Sequence, residues 1–278
     1  MPRRLAVLAG AGLLVPRLIQ AAQATGDTVL VIALSPQAIS GAHETVAVTL
    51  DDPAAILDAL DAFAPSHLVL AGGVTLNDAQ RRSIVRLLST GAAAEAAGLS
   101  TMGDAALSGI GAVIAQRCGA QLLGAHDIAR DLLAGTGAIA GPPVGEALHA
   151  TARLALAAAR SIGALDLGQA VVAVGQRIIA AEDIAGTDAL IDRARALRAA
   201  ELTGDGGEPL VLAKASKPQQ PLSVDMPAIG PDTITRCAEA GIGLVVLEAG
   251  RCLVLGDDEL RRRASSLGIS VIGLACDG

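Results

Sequence analysis

The sequence predicts an α/β protein built from two domains. Short aliphatic runs alternate with segments of helical period along most of the chain, which is typical of largely parallel sheets covered by helices. At 278 residues, of which 52% are hydrophobic, the chain is long enough and apolar enough for two packed cores. Residues 135–145 are rich in glycine and proline and show neither the helical nor the strand periodicity, so they are predicted to form a linker.

The N-terminal half begins with a strand, a tight turn, a helix and a second strand. We predict the first strand over residues 4–9, the turn at Ala11-Gly12, the helix over residues 13–24 and the second strand over residues 28–34. The alternation continues, so residues 1–134 are predicted to form a Rossmann-like α/β domain with a mainly parallel sheet. Its further elements are strands near 45–50, at 67–71 and at 121–123, and helices over 53–62, 77–88 and 104–116.

The first apolar run also imitates a secretory signal, because it follows Arg3 and Arg4 and precedes small residues. Gly10 and Gly12 inside the run, with Pro16 just after it, fit a strand and a turn better. Cleavage there would also remove a strand that the domain needs.

Residues 146–278 are predicted to form a second α/β domain. An alanine-rich helix opens it over residues 146–162, and a hairpin through Gly175-Gln176 follows. Thr187 is predicted to cap the next helix, with Asp188 in its first turn. The other predicted elements are strands at 170–174, 177–182, 243–247, 252–255 and 269–274, and helices over 231–240 and 257–267.

Charge and aromatic content exclude several classes of function. The formal net charge of -7 leaves no basic stripe that could release counterions from a nucleic-acid backbone. The chain has no Trp or Tyr and a single Phe, so aromatic stacking on bases or sugars is unavailable. The basic run Arg261-Arg262-Arg263 follows an acidic run in a helical pattern, which favours a salt-bridged surface helix over a contact with anionic lipid.

The cysteines form no C-x-x-C pair and have no histidine companions at zinc spacing. Cys118, Cys237, Cys252 and Cys276 are therefore predicted to be buried reduced thiols of a cytoplasmic protein. No apolar run reaches the roughly 18 to 20 residues that span a bilayer, so the chain is expected to be soluble or peripheral.

The stretch that begins at Lys214 interrupts an apolar domain with charged residues. Pro218 and Pro221 exclude a helix there, so Lys214, Lys217 and Asp225 should be displayed on a loop or an edge strand. The order of these charges suits a phosphate and a cation, although a solvated connector uses the same residue types.

A helix is predicted to begin just beyond this loop, because Gly230 and Pro231 suit the N-cap and the first helical position. Its amide donors would point back toward the loop. Glu182 and Asp188, at a strand end and a helix start, would join Asp225 as the oxygen ligands that Mg²⁺ or Mn²⁺ uses together with substrate phosphates. Ordinary helix capping is the alternative interpretation of Asp188.

The segment Ala9-Gly10-Ala11-Gly12 follows the first strand and resembles the start of a dinucleotide fingerprint, in which amides approach a pyrophosphate. Val15 replaces the third glycine and no acidic residue ends the second strand, which argues against NAD. Two interpretations of these glycines stay open. They could contact a diphosphate group, or they could only tighten a turn. His126 is a weaker candidate, since a lone histidine is more often a cap or a core residue.

Motifs over nearly the whole chain resemble those of the LpxI family. The most specific are Gly186-Thr187-Asp188-Ala189 and Asp225-x-Pro227-x-Ile229-Gly230. The others occur in the same order: Ala9-Gly10-x-Gly12, Ala71-Gly72-x-Val74, Gly103-Asp104, Gly124-Ala125-His126, Asp166-x-Gly168-Gln169, Glu182, Lys214, Lys217-Pro218-x-Gln220 and Glu248-Ala249-Gly250.

The resemblance implies a metal-dependent hydrolase of the lipid A pathway. Such enzymes are UDP-2,3-diacylglucosamine pyrophosphatases, which release UMP and 2,3-diacylglucosamine 1-phosphate, called lipid X. The resemblance also implies two α/β domains with the ligand cleft between them. The expected partner is an acylated nucleotide sugar, met in a peripheral contact at the cytoplasmic face of the inner membrane, and a homo-oligomer is left open.

The resemblance assigns roles to individual residues. Asp225 would be the essential catalytic carboxylate at the metal or the attacking water, with Asp188 as a second catalytic residue. Both would ligate the Mg²⁺ or Mn²⁺ ion together with Glu182. The substrate-binding residues would be Gly10, Gly12, Gly72, Asp104, His126, Gln169, Thr187, Lys214 and Lys217.

One departure from the family pattern is Ser223, where the family usually carries an arginine, so that one cationic phosphate contact is lost or supplied elsewhere. Two other functions stay open. One is a non-catalytic protein that binds a nucleotide sugar or a lipid on the same fold, and the less favoured one is an NAD(P)-dependent enzyme.

Overall fold

The structure is a computed structural model that describes residues 2–34, 41–74, 76–88, 104–204, 207–224 and 226–276. Its contacts divide the chain into two compact units. The first unit comprises Met1–Asp131 with Gln220–Asp225, and the second comprises Leu132–Gln219 with Met226–Gly278. Each unit has its own sheet, its own helices and its own aliphatic core, which confirms the predicted α/β class.

The first unit contains a five-stranded sheet in the order β3-β2-β1-β4-β5, with every neighbouring pair parallel. Strands β2 and β3 lie on one side of β1, and β4 and β5 lie on the other. The loops after β1 and β4 therefore meet at a topological switch point, where ligands bind in sheets of this kind. The elements are β1 (Arg4–Ala9), α1 (Leu14–Ala24), β2 (Thr28–Ala33), β3 (Glu44–Ala47), α2 (Ala54–Phe63), β4 (His67–Ala71), α3 (Asp78–Leu88), α4 (Asp104–Arg117), β5 (Gln121–Leu123) and α5 (Ala125–Ile128), followed by a short 3₁₀ turn (Arg130–Leu132).

The central strand β1 reads as a continuous apolar run because both faces of a parallel sheet are covered by helices. Leu5, Ala6 and Val7 are fully buried, as are the residues that face them on β2. The run that imitates a secretory signal is therefore the middle strand of this sheet.

Two glycine turns, one after β1 and one after β4, are locked together by backbone hydrogen bonds. The amide of Gly10 donates to the carbonyl of Ala71 at 2.8 Å, and Ala11 and Gly73 exchange hydrogen bonds of 2.8 Å in both directions. A Cβ atom at Gly10 would lie 2.4 Å from the carbonyl oxygen of Gly73, and one at Gly72 would lie 2.6 Å from that of Ala11. Glycine is required at both positions because the two backbones touch.

An ion pair between Arg3 and the buried carboxylate of Asp27 joins the residue before β1 to the residue before β2. The carboxylate of Asp27 accepts from the backbone amide of Arg3 at 2.8 Å and from its Nε at 2.9 Å, and the Thr25 hydroxyl donates to it at 3.3 Å. Burial by itself raises the pKa of Asp27, but these hydrogen bonds outweigh it and hold the pKa below the ordinary value of 3.8.

The second unit contains a six-stranded mixed sheet in the order β6-β13-β11-β9-β7-β8 and a two-stranded parallel sheet of β10 and β12. Strands β13, β11 and β9 are parallel, while β6, β7 and β8 pair antiparallel with their neighbours. The predicted hairpin through Gly175 joins β7 to β8. The elements are β6 (Gly137–Ala140), α6 (Glu146–Ala164), β7 (Ala170–Val174), β8 (Arg177–Ala181), α7 (Gly186–Ala199), β9 (Leu210–Lys214), β10 (Ala228–Ile229), α8 (Pro231–Glu239), β11 (Ile242–Glu248), β12 (Leu253–Val254), α9 (Asp257–Leu267) and β13 (Ser270–Leu274).

The segment over residues 135–145 differs from the predicted linker, because it contains β6, which pairs with β13. The second unit accordingly begins at Leu132. Sequence patterns gave no sign of this strand because it is only four residues long and lies in a stretch rich in glycine and proline, and its pairing is set by backbone contact. A Cβ atom at Gly273 would lie 1.9 Å from the carbonyl oxygen of Gly135, so the close approach of the two segments needs a glycine.

The loop that was assigned to the C-terminal domain also differs from the prediction. Residues 220–224 belong to the first unit, where Gln220 and Val224 line an apolar cavity. Proline excluded helix in this stretch, but the partner of an irregular segment is decided by tertiary contacts, which local patterns do not reveal.

Several expectations from composition are confirmed. Cys237 and Cys252 are buried free thiols, and burial raises the pKa of each to about 12. The other two cysteines, Cys118 and Cys276, are free but only half-buried, so the prediction of burial is wrong for them. On α9, Arg261 and Arg263 pair with acidic residues one turn earlier, as predicted for a salt-bridged surface helix. Within the described residues, no helix combines the length and the apolar character that crossing a bilayer requires.

The interlocked turns predict a strong effect of one added methyl group. Gly10→Ala should lower the free energy of unfolding by about 1–3 kcal/mol, because the new Cβ overlaps the carbonyl of Gly73. Gly73→Ala is the matched control, since a Cβ there meets no atom of the described residues within 4 Å. Urea unfolding followed by circular dichroism would measure both variants, and equal stability would contradict the interpretation.

The Asp27 pair predicts a pH-dependent contribution to stability. Because its pKa is depressed in the folded state, the stabilisation is present above about pH 4 and is lost as the pH falls through the folded pKa. Asp27→Asn should lower the free energy of unfolding by about 1.5–3 kcal/mol at pH 7, with a smaller difference from wild type at acidic pH. Asp58→Asn, at an exposed position on α2, should show neither effect in the same pH series.

Candidate active site

Several chain segments of the second unit meet at one edge of its large sheet. Lys214 ends β9 and pairs with Leu247 of the parallel strand β11 and with Ala170 of the antiparallel strand β7. The residue after β8 reaches the same edge, because Ala181 pairs with Val171. This topology brings together Gln169, Glu182 and Lys214, which are distant in sequence.

A buried lysine is the centre of this edge. Lys214 is only 6% exposed, and its Nζ donates to the Thr187 hydroxyl at 2.9 Å and to the carbonyl of Ala228 at 3.1 Å. The Thr187 hydroxyl in turn donates to Glu182 Oε1 at 2.5 Å, and Glu182 Oε2 accepts from the amide of Gln169 at 2.7 Å. We call these five residues the Lys214 network.

The network balances a buried charge. A cation removed from water is costly unless an opposite charge and hydrogen bonds compensate it, and Glu182, itself 8% exposed, supplies that charge through the Thr187 hydroxyl. An ammonium group has three donors, of which two are used within the described residues. The third suits an anionic oxygen such as that of a phosphate.

The position of Thr187 shows that the predicted helix cap is wrong. Helix α7 begins at Gly186, its N-cap is Ala185, and no side chain of the described residues caps it. Thr187 therefore lies inside the first turn, where its hydroxyl is directed to Glu182 and Lys214. Gly186 has a φ of +84°, a conformation that glycine adopts readily and that lets the chain turn from Glu182 into the helix.

A second glycine holds the two loops of the network together. A Cβ atom at Gly168 would lie 2.6 Å from the carbonyl oxygen of Glu182. The amide of the next residue, Gln169, can reach the Glu182 carboxylate only because these backbones are in contact. The sequence motif Gly168-Gln169 thus has a structural reason within this site.

Lys217, which was predicted to contact phosphate, forms an ion pair with a residue of the same unit. Its Nζ lies 2.7 Å from Asp166 Oδ1, and the residue is 4% exposed. Asp166 has a φ of +56°, which is rare for a residue other than glycine, and the short polar side chain of aspartate tolerates it. Lys217 and Asp166 fix the turn after α6 beside the Lys214 network.

Sequence reasoning gave no role to Glu248, although its carboxylate is buried at the end of β11. Its Oε2 accepts from the amide of Ser216 at 2.8 Å and from the Ser216 hydroxyl at 2.9 Å. Its Oε1 lies 3.3 Å from Arg160 NH1 and 3.5 Å from Arg251 Nε. A glutamate that ends an otherwise apolar strand was the available signal, and its contacts fix the chain two residues after Lys214.

The described carboxylates do not form the expected metal site by themselves. Both oxygens of Glu182 already accept hydrogen bonds, and Asp188 has a side chain that is 67% exposed and lies 3.5 Å from Arg236 Nε. Among the described residues, no group of three His, Cys, Asp or Glu side chains could hold a metal ion. Asp225, the third predicted ligand and the predicted catalytic residue, lies outside the described residues.

In the first unit, three predicted substrate-binding positions follow strands whose carboxyl ends share one edge. Gly10 follows β1, Gly72 follows β4 and His126 lies just after β5. Gly10 and Gly72 touch each other, and the amide of Gly10 is used in the interlocked turns. Gly12 comes next with a φ of +113°. Asp104 begins α4, but its side chain lies outside the description.

His126 has the unsatisfied ring nitrogen expected of a binding residue. Its Nδ1 is buried and has no hydrogen-bond partner among the described residues, while Nε2 lies 3.6 Å from Asp127 Oδ1. The capping role belongs to Asp127, whose Oδ2 accepts from the amide of Gly124 at 2.9 Å. Buried polar atoms are nearly always paired, so Nδ1 calls for a ligand atom or a water molecule.

Comparisons with known proteins agree with this division of the chain. The family models described as LpxI N-terminal domain and LpxI C-terminal domain match residues 4–132 and 135–272. A protein of Caulobacter vibrioides named UDP-2,3-diacylglucosamine pyrophosphatase LpxI is 44% identical over 121 residues, which are 43% of this chain and 43% of that protein. That alignment spans less than half the length of the relative, whereas the two family models together account for both units. The chain belongs to the LpxI family.

Proposed function

We propose that this protein hydrolyses the diphosphate of UDP-2,3-diacylglucosamine to UMP and 2,3-diacylglucosamine 1-phosphate. The observation that carries the proposal is the match of both family domains along nearly the whole chain, supported by the name of the Caulobacter relative. In this reaction a water molecule attacks one phosphorus atom, and the bond from that atom to the bridging oxygen breaks. Each product keeps one phosphate group.

Lys214 is proposed to bind the diphosphate. A buried ammonium that is already held by two partners needs little reorganisation when a phosphate oxygen arrives. Negative charge grows on the bridging oxygen and the leaving phosphate as the bond breaks, and a fixed cation stabilises that charge more strongly in a site shielded from water. Thr187 and Glu182 act through Lys214 as positioning residues.

Asp225 is proposed to be the catalytic carboxylate and to hold a divalent cation together with substrate phosphates. Mg²⁺ commonly binds through one or two protein carboxylates plus phosphate oxygens, so the engagement of Glu182 and Asp188 elsewhere is compatible with such a site. The ion would polarise a phosphoryl oxygen and neutralise charge on the diphosphate. His126 is proposed to form a hydrogen bond with the substrate through Nδ1, which has no hydrogen-bond partner within the described part of the chain.

The location of the substrate belongs to the same proposal. A diacylated sugar nucleotide partitions into a lipid surface through its chains, while its nucleotide stays in water. We therefore propose peripheral contact with the cytoplasmic face of the inner membrane.

The reaction can be tested by incubating the purified protein with UDP-2,3-diacylglucosamine and Mn²⁺ or Mg²⁺. We expect release of UMP, its loss after treatment with EDTA, and its return when the ion is restored. Asp225→Ala should abolish turnover and retain substrate binding, whereas Asp232→Ala, at an exposed residue paired with Arg263, should keep wild-type turnover. Binding without UMP release by the wild type would favour the non-catalytic alternative.

The Lys214 network predicts a specific order among variants of Thr187. Thr187→Val removes the hydroxyl that joins Lys214 to Glu182 and should lower kcat/KM by about tenfold, because two buried groups lose a partner. Thr187→Ser keeps the hydroxyl and should stay within about threefold of wild type. Steady-state kinetics would measure both, with thermal unfolding as the control for folding. Equal activity of the two variants would contradict the positioning role.

A further inference from the structure

The first unit contains an apolar cavity of about 310 Å³ that is partly open to solvent. Its described lining comes from the first unit alone, including Leu8 near the end of β1, Leu70 on β4, and Ile110 and Ile114 on α4. Residues Gln220 and Val224 complete it. The volume lies in the range of small-molecule sites in proteins.

The lining is aliphatic almost throughout. Twelve of the fifteen described lining residues are Ala, Val, Leu or Ile, two are glycines, and Gln220 has the only polar side chain among them. A nucleobase, a sugar or a phosphate entering this space would lose hydrogen bonds to water without replacement. The occupant that this surface favours is therefore a hydrocarbon.

The size of the cavity argues for an occupant. Protein cores pack as densely as organic crystals, and voids larger than a water molecule are few. Because the cavity is partly open, water enters it when no ligand is bound, and an apolar group that displaces this water gains the free energy of hydrophobic burial. The cavity has room for about ten water-sized groups, and a methylene group is close to that size. One linear saturated chain of that length would fill it.

The position of the cavity connects it to the polar part of a ligand. Ala71, Gly72 and Gly73, which also belong to the interlocked turns, form part of its wall. These turns lie at the topological switch point of the sheet, where ligands of such folds bind. A molecule whose head group met the turn could extend an apolar chain directly into the cavity.

We propose that this cavity binds one of the two acyl chains of the substrate, and we call it the acyl cavity. The inference rests on the proposed function, because it takes the substrate to be diacylated. It assigns a binding role to Leu34, Leu70, Ile110 and Ile114, which no sequence motif singled out. It also gives residues 220–224 a reason to pack on the first unit, since Val224 closes part of the wall.

The test uses two variants that reduce the volume of the cavity from two different parts of its wall. Leu34→Phe, at the residue after β2, and Ile110→Phe, on α4, each place a larger ring in the empty space. Leu122→Phe is the matched control, because Leu122 is partly buried in the same core on β5 but does not line the cavity. Thermal unfolding should show no loss of stability in the two filling variants, and either one suffices if the other fails to fold.

Activity would be measured with UDP-glucosamine carrying two dodecanoyl chains and with an analogue carrying two acetyl groups. Each methylene kept out of apolar surroundings is worth about fourfold in binding, so each filling variant should lower kcat/KM for the dodecanoyl substrate by about tenfold or more. The acetyl analogue should be hydrolysed within about twofold of the wild-type rate, and the control should match wild type on both. Equal loss on both substrates, or no loss on either, would overturn the proposal.

A second measurement separates this proposal from the reaction itself. Binding of dodecanoic acid to the full-length protein would be followed by isothermal titration calorimetry for wild type, the filling variants and the control. If wild type releases no UMP but binds dodecanoic acid, and the filling variants lose that binding, the hydrolase proposal fails and the acyl cavity stands. Absence of binding to wild type, together with equal kcat/KM values for long and short chains, would remove the acyl cavity even if UMP is released.

Discussion

The charge of Lys214 is the constraint around which the second unit is organised. Its ammonium is buried, so the fold must supply an opposite charge and hydrogen-bond acceptors within reach. Glu182 after β8, Thr187 in α7 and Ala228 in β10 provide them, and each comes from a different element. The strand order, the close contact at Gly168 and the early position of Thr187 in its helix together bring these partners to one buried lysine.

In the first unit, the main constraint is the contact between two backbone turns at the carboxyl edge of a parallel sheet. Glycines at positions 10 and 72 allow the turns after β1 and β4 to hydrogen-bond to one another. Some of the backbone amides that such a glycine motif would offer to a ligand are therefore already occupied by hydrogen bonds within the protein. Among the described residues, this edge also carries a histidine with a buried nitrogen that has no hydrogen-bond partner, and an aliphatic cavity, a combination that suits a ligand with a polar head and an apolar chain.

The sequence predicted most elements because their periodicity is strong. The βαβ start, the hairpin through Gly175, the helix that begins at Pro231 and the charged helix α9 all appear close to their expected bounds. Residues 137–140 were missed as a strand because four residues within a stretch rich in glycine and proline show no clear side-chain period, and their pairing depends on the edge of β13. Thr187 was misassigned as a cap because a hydroxyl near a helix start fits two roles that only the location of Lys214 distinguishes.

By itself, the sequence determined the α/β class, the order of most elements and the family, since these follow from local periodicity and from motifs read along one dimension. It also named Lys214, Thr187 and Glu182 individually. Only the tertiary structure decided that these three form one network, that Lys217 is paired with Asp166, and that an aliphatic cavity opens beside the glycine turns. The physical reason is that hydrogen bonds and cavities depend on distances between residues far apart in the chain, and such distances are set by strand pairing and packing.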